Sequence, residues 1–141
     1  MHIRSYEHSD EGAVITLWKE VFPYDEPRNE PATVIRQKLA SGCDLFFVAQ
    51  AENNIVATVM GGYDGHRGWV YHLAVDPQYR SQGIGAALMS HLERELAKRG
   101  CPKVNLQIHG DNAAVAAFYE KLGYRVENRV SMGKIIADRS E

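Results

Sequence analysis

The sequence predicts an α+β domain with a mixed central sheet of about six or seven strands and about four helices. Two observations predict it. Strand-length apolar runs at 45–49, 55–62 and 70–75 are separated only by short turn signals, so they pair antiparallel. The third of these runs then leads through a tight loop into a long amphipathic helix and on to a further apolar run at 104–108. A strand, a crossover helix and a strand imply parallel neighbours with a right-handed connection. At 141 residues, with no repeat, low-complexity tract or linker, residues 1–141 read as one domain.

The elements follow in order. His2 to Tyr6 alternates as a short first strand. Ser9 is placed to cap a helix whose first turn holds Asp10 and Glu11. Val14, Leu17, Trp18 and Val21 keep helical spacing. Three prolines between Phe22 and Pro31 require a loop, and a second helix runs from Pro31 to Ala40, with Gly42 beyond its end. Leu45–Ala49 is a buried strand, Glu52-Asn53-Asn54 a turn, and Ile55–Gly62 the returning strand. Asp64–Gly68 turns the chain into Trp69 and a strand over Val70–Val75, which Asp76-Pro77 stops. Ile84, Leu88, Leu92 and Leu96 mark one face of a long helix that ends at Lys98-Arg99 before Gly100. Val104–Ile108 is a fifth strand. Gly110-Asp111-Asn112 caps a fourth helix, Ala113 to Leu122, with Ala114, Phe118 and Leu122 as its core stripe. Tyr124 to Ile136 alternates weakly and supplies one or two closing strands.

Composition excludes several classes. The formal net charge is −2 and no basic stripe is visible, which argues against nucleic acid as the main partner. The cysteines, Cys43 and Cys101, form no Cys-x-x-Cys pair and read as packed, reduced thiols. No apolar run is long enough to span a membrane and the N-terminus has no signal-peptide pattern, so a cytoplasmic location is expected. His66 and His72 lack zinc-motif spacing, so no metal site is assigned.

The chemistry concentrates at Val75-Asp76-Pro77-Gln78-Tyr79-Arg80-Ser81-Gln82-Gly83-Ile84-Gly85-Ala86. Unpaired backbone N–H groups at a helix start, two glycines and the macrodipole favour an anion there. Arg80 adds a permanent cation with a planar donor fork. The reading is a phosphate-binding loop; the alternative is that the glycines merely relieve crowding. A dinucleotide-binding turn lacks its third glycine, and a Walker loop lacks Gly-Lys-Ser/Thr.

Arg80-x-x-Gly83-x-Gly85 after Leu-Ala-Val-Asp-Pro resembles the acetyl-CoA pyrophosphate loop of the GNAT superfamily of N-acetyltransferases, and the chain is most similar there to small bacterial YpeA-like enzymes. Asn112-x-x-x-Ala116-x-x-Tyr119-x-x-x-Gly123-Tyr124 resembles a second motif of that family. The resemblance implies a single GNAT domain whose parallel strand pair splays to admit the cofactor arm. It implies acetyl-CoA as acyl donor and transfer to an amine acceptor that the sequence does not name. It implies that backbone groups of Leu73, Ala74 and Val75 hold the pantetheine and thioester, and that the loop Arg80, Ser81, Gln82, Gly83, Ile84, Gly85 and Ala86 holds the phosphates. It places Asn112 on the cofactor and Tyr119 near its sulfur, as proton donor to the leaving thiolate. Taken alone, a tyrosine such as Tyr119 is more often an interfacial core residue whose hydroxyl finds a partner; its matching position after the pyrophosphate loop reverses that reading. The segment between the first two helices lines the acceptor site in this family, which makes Tyr24, Asp25, Glu26 and Arg28 either substrate contacts or a solvated loop. A homodimer is compatible with all of this.

One departure stands out. The ribosomal-protein alanine acetyltransferases share both motifs but carry a glutamate base five positions before the asparagine; here that position is Gln107, which takes no proton. His72, next to Leu73–Val75 and with an ordinary pKa near 6.5, is the expected base, unless alternation points it into the core or to the other sheet face. His109, Asp64 and His66 are weaker choices. A non-catalytic acetyl-CoA-binding regulatory module is the alternative function.

Overall fold

The computed structural model describes residues 1–22, 27–109 and 112–137. Its elements are β1 (His2–Ser5), α1 (Glu11–Val21), α2 (Pro31–Ala40), β2 (Phe46–Ala51), β3 (Asn54–Tyr63), β4 (Gly68–Val75), α3 (Ile84–Lys98), β5 (Val104–Asn105) and α4 (Ala113–Lys121). The five strands form one sheet in the order β1-β2-β3-β4-β5. Every neighbouring pair is antiparallel except β4 and β5.

The sheet is covered on both faces, which is why β2 and β3 read as continuous apolar runs rather than alternating ones. Alternate residues of β2 split between two cores. Phe47 and Ala49 pack with Leu88, Met89, Leu92 and Leu96 of α3 and Tyr119 of α4. Phe46 and Val48 pack with Val14, Leu17 and Trp18 of α1 and Ile35 of α2. The β2–β3 turn is the tight two-residue form, with Glu52 and Asn53 both in the left-handed region (φ +52° and +68°).

Several local expectations are corrected. Ser9 caps nothing. A single 3-10 turn at His8–Asp10 precedes α1, with Glu7 and Asp10 reciprocally capped. Asp10 takes both guanidinium nitrogens of Arg4, at 2.8 and 2.9 Å, and that hydrogen bonding holds its pKa below the usual carboxylate range. α2 is capped by Glu30, whose carboxylate accepts from the Ala32 and Thr33 N–H groups. Among the described residues the strand count is five, not six or seven, because residues 124–137 form no strand. The paired part of β5 is also two residues rather than five. On α4, Ala114 is exposed and the inward side is Val115, Phe118 and Tyr119, so Tyr119 lies on the core stripe rather than beside it.

Candidate active site

β4 carries an extra residue against β3. Thr58 pairs with Ala74 and Met60 with Tyr71, so one residue of β3 faces two of β4. His72 absorbs the difference with φ of +49°. That conformation costs an L-residue about 1–2 kcal/mol, and a bulge of this kind bends the strand and re-aims its side chains. A buried relay pins it. The Thr58 hydroxyl donates to the His72 carbonyl at 3.0 Å and accepts from the Trp18 indole at 2.8 Å, and Thr58 is fully buried. The imidazole packs against Trp18 (centroids 4.5 Å apart) and meets the Phe22 ring edge-on (5.2 Å). His72 therefore faces α1. Burial takes its pKa down to about 4. This corrects the expected histidine near 6.5: removal from water disfavours the imidazolium, so the ring is neutral at pH 7 and a poor proton acceptor.

β4 and β5 pair only at Gly68 with Val104 and Trp69 with Asn105. β4 then runs on to Val75 with no strand on that side among the described residues. Leu73, Ala74 and Val75 lie in this open stretch, and the parallel pair is splayed as expected. Val104, Leu106 and Ile108 pack toward the α3 and α4 core. The Gln107 amide donates to the Ser131 hydroxyl.

Beyond Val75 the chain makes one 3-10 turn, Pro77–Tyr79, capped by the Asp76 carboxylate on the Gln78 N–H at 2.9 Å. Ser81 and Gly83 follow with φ of +63° and +80°. Gly83 is the N-cap of α3 and supplies no side-chain acceptor, so nothing from its side competes for the first N–H groups of the helix. Residues in the left-handed region beside a helix start form the concave backbone that binds anions. Arg80 is exposed, its Nε donating to the Val75 carbonyl at 3.1 Å, which lays the guanidinium along the loop. Gly85 has a second purpose that its spacing does not suggest. It is buried, and a Cβ there would stand 3.3 Å from the Phe118 ring and 3.6 Å from Val75. Its bare Cα lets the end of β4, the start of α3 and α4 meet.

α4 completes the arrangement. Asn112 caps it through Oδ1, accepting from the Val115 N–H at 3.2 Å. Tyr119 is 8% exposed, with the rings of Phe118 and Tyr124 edge-on to it. Burial pushes its phenol up to about 12, so it stays protonated through the neutral range.

The fold thus brings the side chains of Leu73 and Val75, the loop Arg80–Ala86 and Tyr119 to one side of the sheet, and sets those of His72 and Ala74 on the other. His66 lies in the β3–β4 turn, where its N–H donates to Asp64, and that carboxylate also accepts from Arg67. Tyr24, Asp25, Glu26, Gly110 and Asp111 lie outside the described residues. Arg28 sits in a single 3-10 turn, Pro27–Asn29. Sequence reasoning missed Thr58, Trp18 and Phe22, which hold the bulge. A threonine in an otherwise apolar strand was the available signal, because a buried hydroxyl requires a partner.

The family model described as "Acetyltransferase (GNAT) family" matches residues 12–124. A protein of Sodalis glossinidius (strain morsitans) named as an acetyltransferase is 46% identical, over 100% of this chain and 99% of its own length. The crystal structure of the ribosomal-protein-S18-alanine N-acetyltransferase from Escherichia coli superposes with a TM-score of 0.69 at 30% identity, covering 86% of this chain and 76% of that one. The PaiA N-acetyltransferase from Thermoplasma acidophilum, crystallised with coenzyme A, has the same fold, with a TM-score of 0.78 at 22% identity over 92% of each chain.

Proposed function

The chain belongs to the acetyltransferase (GNAT) family and is an acyltransferase, and from that premise we propose that it moves an acetyl group from acetyl-CoA directly to a primary amine of a small molecule or protein. The observation that carries this reading is the open stretch of β4 beyond Trp69, flanked by the uncapped start of α3 and by Tyr119. Backbone groups of Leu73–Val75 would hold the pantetheine arm and polarise the thioester carbonyl, since fixed donors stabilise a developing oxyanion. Arg80, the Ser81 hydroxyl and the N–H groups from Gln82 to Ala86 would hold the pyrophosphate, and the side-chain amide of Asn112 the arm. Acetyl-CoA is a cytoplasmic metabolite, which is where this reading puts the enzyme.

The proton balance closes without a dedicated base if the amine arrives neutral. The amine nitrogen bonds to the carbonyl carbon and the carbon–sulfur bond breaks. The Tyr119 phenol gives its proton to the departing sulfur and regains one from the new ammonium. An alkyl ammonium has a pKa of about 10.4, so a small neutral fraction reacts at pH 7. Gln107 and a histidine at about 4 both suit this scheme. His72 then positions: its bulge aims Leu73–Val75.

Gln107 also supports a second reading, a non-catalytic acetyl-CoA-binding module. One assay separates the two: thiol release from acetyl-CoA against a panel of small amines and amine-bearing peptides, alongside thermal melts. Amine-dependent release is expected. Stabilisation by acetyl-CoA with no turnover on any amine would favour the module, and no stabilisation at millimolar acetyl-CoA would sink both.

A further inference from the structure

The turn that joins α2 to β2 brings a lysine and a cysteine into contact. The Ser41 hydroxyl donates to the Lys38 carbonyl at 2.6 Å and accepts from the Cys43 N–H at 3.3 Å. Gly42 stands between them at φ of +76°, so the chain doubles back on the last turn of the helix. Lys38 Nζ then donates to the Cys43 sulfur at 3.1 Å and to the Gly61 carbonyl of β3, and the sulfur donates to that same carbonyl at 3.6 Å. Gly61 pairs with Val70, toward the opposite end of β4 from the loop that follows Val75. Both side chains are half-buried, and Ser41, Gly42 and Asp44 beside them are exposed. Among the described residues no carboxylate pairs with Lys38, and Asp44 is taken by Arg99 at 2.9 Å. The second cysteine is built differently. Cys101 is also half-buried, but its sulfur donates to the Lys103 carbonyl at 3.3 Å while the Lys103 ammonium goes to Glu127.

We propose that Cys43 and Lys38 form a self-acetylation site that takes an acetyl thioester from solution. The acetyl group moves first to sulfur and then to nitrogen. In the first step Cys43 sulfur bonds to the acetyl carbon of acetyl-CoA, the bond to the coenzyme sulfur breaks, and the thiol proton ends on the coenzyme. In the second, the Lys38 ammonium gives a proton to water and the amine attacks the same carbon. The carbon–nitrogen bond forms, the bond to Cys43 breaks, and a second proton passes from nitrogen to the Cys43 sulfur. The products are an acetylated Lys38, free coenzyme thiol and a regenerated cysteine. The order follows from nucleophilicity: an alkyl ammonium does not attack a thioester, whereas a cysteine supplies some thiolate at neutral pH. The 3.1 Å contact makes the second step intramolecular, with the acetyl carbon one bond from sulfur and within reach of Nζ. Cys101 has no amine at its sulfur in this structure, so it lacks the second step. Acetylation removes the Lys38 charge, and with it the ammonium that ties α2 to Gly61. The donor is the one that the acetyltransferase reading requires, but the loop that would hold its phosphates takes no part.

The test incubates the full chain with trideuteroacetyl-CoA at neutral pH and maps the label by peptide mass spectrometry over time. Label should reach Cys43 before Lys38, and Lys38 should end with more of it than any other lysine. Cys43→Ser should lower labelling of Lys38 by roughly tenfold or more, and Cys101→Ser should leave it unchanged. Lys38→Arg removes the final acceptor, so the label should stay on Cys43 as a thioester that hydroxylamine strips. Gly83→Val separates this site from the acetyltransferase reading: amine-dependent turnover should fall while Lys38 is labelled as in the wild type. An unlabelled Lys38 in the wild-type chain overturns the proposal. So does label on Lys38 that persists in Cys43→Ser or disappears in Gly83→Val, and so does Lys38→Arg with no thioester on Cys43.

Discussion

The end of β4 that leads into α3 and the face of β4 that looks toward α1 are adjacent along the chain, yet they are built by opposite means. The first is made of backbone. Ser81 and Gly83 adopt left-handed conformations, the start of α3 is left without a side-chain cap, and the only side chain that matters for charge, Arg80, lies back along the loop. The second is made of side chains from three elements: Trp18 of α1, Thr58 of β3 and His72 of β4. A backbone site is specified by a few contiguous residues and tolerates many neighbours. A side-chain site is specified by packing between distant segments, so it needs all three elements in place.

The largest effect is expected where the backbone itself is changed. Gly83→Val forces a β-branched residue to φ of +80° beside the N–H groups that would hold phosphate. Isothermal titration should show acetyl-CoA affinity falling by roughly a hundred-fold or more, while the circular dichroism of the apo protein stays folded. Undiminished affinity would mean that the loop does not hold the phosphates.

Tyr119→Phe comes next and sharpens the contrast, since it removes one oxygen from the side of the sheet that packs on α3. Turnover should drop by about 10²-fold with the KM for acetyl-CoA little changed. A fully active variant would return Tyr119 to the core as a packing residue only.

Thr58→Val probes the other face. It leaves the Trp18 indole and the His72 carbonyl unpaired in a buried site, which should cost about 2 kcal/mol of unfolding free energy in urea titration. Relaxation of the bulge should lower kcat as well. Stability lost with kcat intact would confine the relay to structure.

The smallest effect is in pH. His72 binds its proton at about 4 in the folded chain against 6.5 in the unfolded one. Between those values the unfolded state binds more protons, so stability rises with pH across the window and is complete above 6.5. As pH falls toward 4 the contribution is lost, on the order of 3 kcal/mol in total. His72→Gln should flatten this part of a plot of unfolding free energy against pH. The same variant should keep the ascending limb of kcat/KM, which should instead move when the acceptor is exchanged for an amine of lower pKa. A limb near pH 6.5 that vanishes in His72→Gln would restore the histidine as base.

Most of the fold was legible because its signals are local. The stripe Ile84, Leu88, Leu92, Leu96 is buried as its spacing requires, and Gly100 ends the helix with φ of +84°. Pro31 opens α2. Failures came where two segments compete for one surface. Ala114 and Val115 are equally plausible core positions on a short helix, and α3 with β4 selects Val115. The tail alternates weakly in sequence, but its side chains from 125 to 137 are exposed and it adds no strand to the sheet.

By itself the sequence determined the order of the elements, the crossover that makes β4 and β5 parallel, and the loop after Val75. These depend on turn chemistry, helical periodicity and chain handedness, all of which act within a few residues or one connection. The tertiary structure alone decided that His72 takes the bulge and faces α1 with its pKa near 4, that Gly85 serves the contact with Phe118, and that β5 pairs with β4 for only two residues before the strands part. Each of these is set by what a distant segment brings into contact. Burial, desolvation and close approach are properties of the assembled core and have no signature in a local stretch of chain.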